Sequence, residues 1–304
     1  MKVSVLNLAL LLAAGAPFAV SDDMENAFQS LKEAETKKDS ALVKKLAAET
    51  FALARQAAST PAPEDAAEKQ AWTNHVAYAK EIETHTEYAL LATALQASDA
   101  EAIDLLSALE EQNPKSKYLD DAYGRYFQAL NQTGGASKIQ AVAEKAIKSL
   151  PDNEDLLMVL ADSAYNRKQY DSANSYAERL IATMNKHPKP EGQSAADWER
   201  KKSLALGRGY WIAGLTHSEK TQFYDADKDL RAALPYLKGN EPMLAPALFY
   251  LGVANYQLGS AARSRARVLE AATFSEQAAA IKGPLSQQAW SNAQAMKAEA
   301  AKLR

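Results

Sequence analysis

The sequence predicts an all-α protein, and three observations predict it. Apolar residues recur at helical spacing along nearly the whole chain, and no segment alternates with the period of two that a half-buried strand needs. Alanine, the strongest helix former, supplies roughly a fifth of the 304 residues. Glycine and proline are few and fall mostly between the predicted helices, as in Thr133-Gly134-Gly135, Pro188-Lys189-Pro190 and Lys282-Gly283-Pro284. A chain of this length is long for one compact core but natural for stacked units that bury surface only against their neighbours.

The elements follow in order. Lys2, the apolar run Val3 to Ala14, and the breakers Gly15 and Pro17 give residues 1–20 the form of a secretory signal. Ala14-Gly15-Ala16 has small residues, but Pro17 hinders cleavage there, so a cut after Ala19 is preferred. Cleavage makes the product periplasmic or secreted. The alternative is a retained anchor, because Val3 to Val20 is nearly long enough to span a bilayer. Residues 21–63 read as a helical hairpin and linker. Met24, Phe28, Leu31 and Ala34 mark one helix; Leu42, Leu46, Thr50, Leu53 and Ala57 mark the next; Ser59-Thr60-Pro61-Ala62-Pro63 breaks the chain. Residues 64–119 hold a long helix from about Glu64 to Gln96 and a shorter helical pattern through Ala102, Leu106 and Leu109 to Pro114.

From 120 to 304 helical pairs repeat. Tyr123, Tyr126, Phe127 and Leu130 lead to Ile139, Ala143, Ala146 and Pro151. Leu160 and Ala161 lead to Tyr170, Ala173, Ala177 and Leu180. Tyr210, Ala213, Gly214 and His217 lead to Ala226, Leu230 and Ala233, and Leu248, Leu251, Gly252 and Asn255 open one more pair. An insertion at 186–194, rich in Pro and Gly, reads as an ordered connector or as a binding loop. Ser194 and Asp197 then restart the helix as a capping box, with Trp198 in its first turn. A last helix, Leu285 to Leu303, caps the array, and Lys297, Lys302 and Arg304 suit its C-terminal end.

These offsets resemble the tetratricopeptide repeat (TPR), a helix-turn-helix unit of about 34 residues. About five units cover most of 83–280, and those starting near Glu154, Gly207 and Ala245 match best. In the last of these Ser264 holds a place usually taken by alanine. The turn NPKSKYLDDAY resembles inter-repeat turns of bacterial envelope TPR proteins. The resemblance implies a right-handed α-solenoid with the N-terminal hairpin and the C-terminal helix as end pieces. Its implied function is to hold a protein or peptide partner in the cell envelope. It also implies that the first helix of each repeat lines a groove. The groove positions are Asp155, Met158, Asp162, Tyr165 and Asn166 in one repeat. The next supplies Arg208, Trp211, Leu215 and Glu219, and the one after Phe249, Val253, Tyr256 and Gln257. Asp162, Tyr165, Asn166, Arg208, Trp211, Phe249 and Tyr256 form the expected partner-binding set. Aromatic anchors within a polar rim suit peptide recognition; the alternative is that these aromatics pack the superhelix. The family's Lys and Asn carboxylate clamp is missing, since Trp211, Leu215, Met158 and Asp162 stand there.

Chemistry of other kinds is not written in the chain. Cysteine is absent, which removes disulfides, thiolate metal sites and a cysteine nucleophile. A net charge of −3 gives no electrostatic case for nucleic acid. No HExxH or G-x-S-x-G occurs. Glu81 and His85 share a helix face but read as a surface pair, and His217 as a satisfied interior residue. Gly207-Arg208-Gly209 lies inside a helical pattern and reads as close packing. Arg263 and Arg267, with Arg265 between them, read as one solvated helix face. No enzyme activity, cofactor or metal is expected, and a membrane contact only through an uncleaved 3–20; the alternatives are a membrane-tethered subunit of an envelope complex and, less favoured, an envelope enzyme on a helical scaffold, which would need a deep pocket with converging acids.

Overall fold

The computed structural model describes residues 22–189 and 194–303. The expected signal or anchor at 1–20, and residues 190–193 of the insertion, lie outside that range. The described residues contain thirteen α-helices and no strand. The chain divides into two compact units, one running to Val142 and the other Ala143–Arg304, and the division falls within a helix.

The first unit opens with α1 (Asp22–Lys37) and α2 (Ser40–Ala58), the expected hairpin. Asp39 caps α2 by accepting from the Leu42 amide at 3.0 Å. Helix α3 (Lys69–Ala94) starts some residues after the expected Glu64, and Trp72 Nε1 donates to the Thr60 carbonyl at 2.8 Å, fastening the proline-rich break. Helix α4 (Asp99–Gln112) begins in a full capping box made by Ser98 and Glu101. The turn after it is tied to α3 by buried polar groups: the Glu87 carboxylate accepts from Asn113 Nδ2 at 2.7 Å and Ser116 Oγ at 2.6 Å. Helices α5 (Tyr123–Gln132) and α6 (Ala136–Ala146) follow. His85 pairs with Glu35 of α1 at 2.8 Å, not with Glu81, because the face of α3 that carries His85 also meets Phe28 of α1.

The second unit holds α7 (Glu154–Asn166), α8 (Tyr170–Lys186), α9 (Ala195–Glu219), α10 (Phe223–Ala233), α11 (Glu241–Ala261), α12 (Arg265–Ala280) and α13 (Ser286–Lys302). Each packs on the next, and α7, α9, α11 and α13 also touch in succession. Small residues set the close approaches. Ala161, Ala164, Ala173 and Ala177 meet Ile212 and Ala213 in one buried cluster. A Cβ placed on Gly214 would lie 2.5 Å from Leu230 Cγ, so α9 and α10 can touch there only without one. Gly207 and Gly209, likewise pressed against Tyr236 and Ile181, are packing positions as expected.

One device recurs at the hairpin turns. After α1, α5, α7, α9 and α11 the chain places a residue at positive φ: Lys38, Gly134, Lys168, Thr221 and Arg263. At each turn the amide of that residue bonds the carbonyl three back, and the next amide bonds the carbonyl five back, as in Thr221 to Ser218 (3.0 Å) and Gln222 to His217 (2.8 Å). This is the Schellman arrangement, and the following helix starts at once. Only one of the five residues is glycine. Arg263 therefore lies in a turn and shares no helix face with Arg267. Ser264 is not an interior position but the N-cap of α12, accepting from the Arg267 amide. A β-branched residue is disfavoured at positive φ. Thr221→Gly is thus expected to stabilise the protein by about 0.5–1 kcal/mol, the relief of left-handed strain less glycine's greater unfolded-state entropy. Urea unfolding of the two proteins checks this, and an unchanged or lower midpoint would count against strain at Thr221.

Candidate functional site

Helix α9 carries the site. It is capped by Ser194, whose Oγ accepts from the Asp197 amide at 3.0 Å and donates to Asp197 Oδ2 at 2.7 Å. The helix runs 25 residues, well beyond one TPR helix. Leu204, Arg208, Trp211, Leu215 and Glu219 follow each other at spacings of three and four and so form one stripe. Leu204 is 64 % exposed.

On one side α7 meets this stripe through charge. Lys201, a turn before Leu204, bridges Glu154 (2.6 Å) and Asp155 (3.1 Å), two buried carboxylates at the start of α7, and His187 lies 3.6 Å from Glu154. Burial works against the Lys201 charge, but Asp155 and Glu154 outweigh it and hold the ammonium well above the ordinary lysine range. Arg208 pairs with Asp162 at 2.6 Å and lays its guanidinium 4.8 Å from the Trp211 ring centroid. Burial lifts the Asp162 carboxyl above its ordinary value, more than Arg208 lowers it.

Aromatic groups continue the stripe. The Tyr165 ring lies 6.2 Å from Trp211 and 6.1 Å from Tyr170. Trp211 Nε1 donates to the Met243 carbonyl at the start of α11 at 2.8 Å, which fixes the indole between α7 and α11. Further along, Tyr250 donates its hydroxyl to Glu219 at 2.9 Å. Burial and then the Glu219 charge push the Tyr165 phenol up to about 12, and burial followed by the Glu219 hydrogen bond raises Tyr250 as well.

Of the residues expected from sequence, the fold gathers Asp162, Tyr165, Arg208 and Trp211 into one contiguous set. Asn166 is exposed at the last position of α7. Phe249 is 7 % exposed and packs with Leu248, Ala278 and Ala289, while Tyr256 packs on the Val268 and Met296 cluster; neither shares a cluster with Trp211. Lys201, Leu204, Met243 and Tyr250 belong to the face and were not in the expected set. Leu204 and Lys201 were missed because the 34-residue register starts the helix near Gly207, although the same three-and-four spacing extends upstream. His217 is buried against Asp229, Nδ1 to Oδ2 2.9 Å. Among the described residues no three His, Asp or Glu side chains are grouped to hold a metal ion, and no helix is long and apolar enough to cross a membrane. No protein-family model matches the chain, and no curated protein matches it.

Proposed function

We propose that this chain is an exported, non-catalytic scaffold of the TPR type that holds a protein or peptide partner in the cell envelope. The observation that carries the reading is the α9 stripe, where Trp211 lies beside the Tyr165 ring of α7 and bonds α11, Leu204 is exposed two turns before it, and the acids of α7, Glu154, Asp155 and Asp162, are paired with Lys201 and Arg208. A surface of aromatic and apolar anchors among satisfied ion pairs favours binding over chemistry. Three features support repeats of this family within Ala143–Arg304 and, with them, a right-handed solenoid there. Ala161 and Ala164 of α7 share one buried cluster with Ala173 and Ala177 of α8. Gly214 meets Leu230. The same turn closes α7, α9 and α11. Export rests on the signal-like residues 1–20. The apolar length of 3–20 favours one second reading, a membrane-tethered subunit of an envelope complex, and the intact mass of the mature protein separates the two.

Trp211→Ala tests the reading. The indole is half-buried and hydrogen-bonded, so its loss is expected to lower stability by about 2 kcal/mol, less than for a fully buried tryptophan. It is also expected to weaken a partner recovered from envelope extract by at least ~30-fold, the loss of one interface anchor. A variant of lowered stability that still binds its partner at full strength would make Trp211 a packing residue only.

A further inference from the structure

Glu219, the last residue of α9, has an unusual setting. It is exposed, and among the described residues no Lys, Arg or His lies within ion-pair distance of it. Its neighbour Lys220 is instead paired with Asp171. What surrounds the carboxylate is aromatic: Tyr250 donates to it, burial and then its charge raise the Tyr165 and Tyr170 phenols, and Tyr165 stands beside Tyr170. Elsewhere on the face each acid has a cation, with Glu154 and Asp155 on Lys201 and Asp162 on Arg208. The carboxylate at the end of the stripe is therefore the one left to be matched from outside. Phenol faces attract cations, and a guanidinium or ammonium beside them also gains the carboxylate.

We infer that Glu219, with Tyr165, Tyr170 and Tyr250, receives an arginine or lysine side chain of the partner segment. The inference rests on the α9 face being the binding face. It also fixes a spacing. Leu204 stands fifteen residues before Glu219 on the same helix, about 22 Å away along the axis. An extended segment covers that distance in about seven residues. The partner thus carries a basic residue near one end of such a stretch and an apolar residue near the other.

The probe is a synthetic peptide of about seven residues, with arginine first, leucine last and glycine and serine between, titrated by NMR into the full chain. Saturable binding is expected, with upfield shifts of the arginine δ protons from the tyrosine rings. Glu219→Gln is expected to weaken it at least about tenfold, and Glu199→Gln less than about twofold. The latter removes the same charge from an exposed site on α9 about 30 Å away. Equal losses in the two variants would reduce the effect to bulk attraction for an acidic protein and overturn the inference. Equal binding of the peptide with glutamate in place of arginine would overturn it too, as would arginine amide alone binding as tightly as the peptide. If the peptide fails while Trp211→Ala still loses the partner from extract, the cation site falls and the binding face stands. If Trp211→Ala is also without effect on the partner, both fall.

Discussion

Ala173→Trp is expected to abolish the cooperative melting of the Ala143–Arg304 unit or to lower its midpoint sharply. Ala173 has no exposed surface and lies where α8 meets α7 and α9, among Ala161, Ala164, Ala177, Ile212 and Ala213. Alanines on both sides let the backbones come close, so no rotamer of an indole fits without parting the helices. Added methylenes in such a contact cost ~1–3 kcal/mol, and a whole indole more. Because α9 shares this cluster and also packs on α10 and α11, the damage should spread to neighbours. Circular dichroism melting of both proteins checks it. A variant that melts like the parent would mean that Ala173 is not at a close helix contact.

Lys201→Met is expected to cost about 3 kcal/mol. The substitution keeps the length of the side chain but removes the ammonium that Glu154 and Asp155 share, while the more distant His187 imidazole stays beside Glu154. Loss of one member of a buried ion pair is expensive because the remaining charge loses its compensation, and the partial exposure of Lys201 and the nearby His187 moderate it. Lys201→Arg should retain most of the stability. The pH dependence has a defined sign. The lysine is held above its ordinary 10.5, so the stability it contributes is fully present below pH 10.5 and is lost as the pH rises beyond it. A Lys201→Met protein with unchanged urea midpoint at pH 7 would show that the two carboxylates are accommodated without Lys201.

The helices themselves were legible because burial on α-helices writes a periodicity into the sequence that no other feature here obscures. The burial of Ala173 at a close helix contact, and the convergence of Asp162, Tyr165, Arg208 and Trp211, were legible because these residues fall at helical offsets that turn one face of each helix to its neighbour. What was not legible has two causes. The turns were hidden because Lys168, Thr221 and Arg263 take the left-handed conformation that sequence reading reserves for glycine, so the end of α11 and the start of α12 were misplaced around Ser264. The extent of the face was hidden because a fixed repeat length carries no information on helix length. Helix α9 starts at Ala195 and α11 at Glu241. With about 100° between successive residues, Tyr250 reaches Glu219 while its neighbour Phe249 turns into the core with Ala278 and Ala289. His85 found Glu35 rather than Glu81 because the partner came from another helix, which periodicity within one helix does not reveal.

That the α9 face holds a partner is tested most directly at Leu204, whose side chain projects into solvent and whose replacement leaves the core untouched. Leu204→Glu and, as a matched change elsewhere, Trp290→Glu on α13, where the ring is 59 % exposed, are to be compared for melting and for affinity toward the partner recovered from envelope extract. The expected result is unchanged melting in both, partner affinity reduced by about tenfold or more in Leu204→Glu as an apolar contact is replaced by a charge, and wild-type affinity in Trp290→Glu. Full partner binding by Leu204→Glu together with loss of binding by Trp290→Glu would contradict the account and move the binding surface to the C-terminal helix.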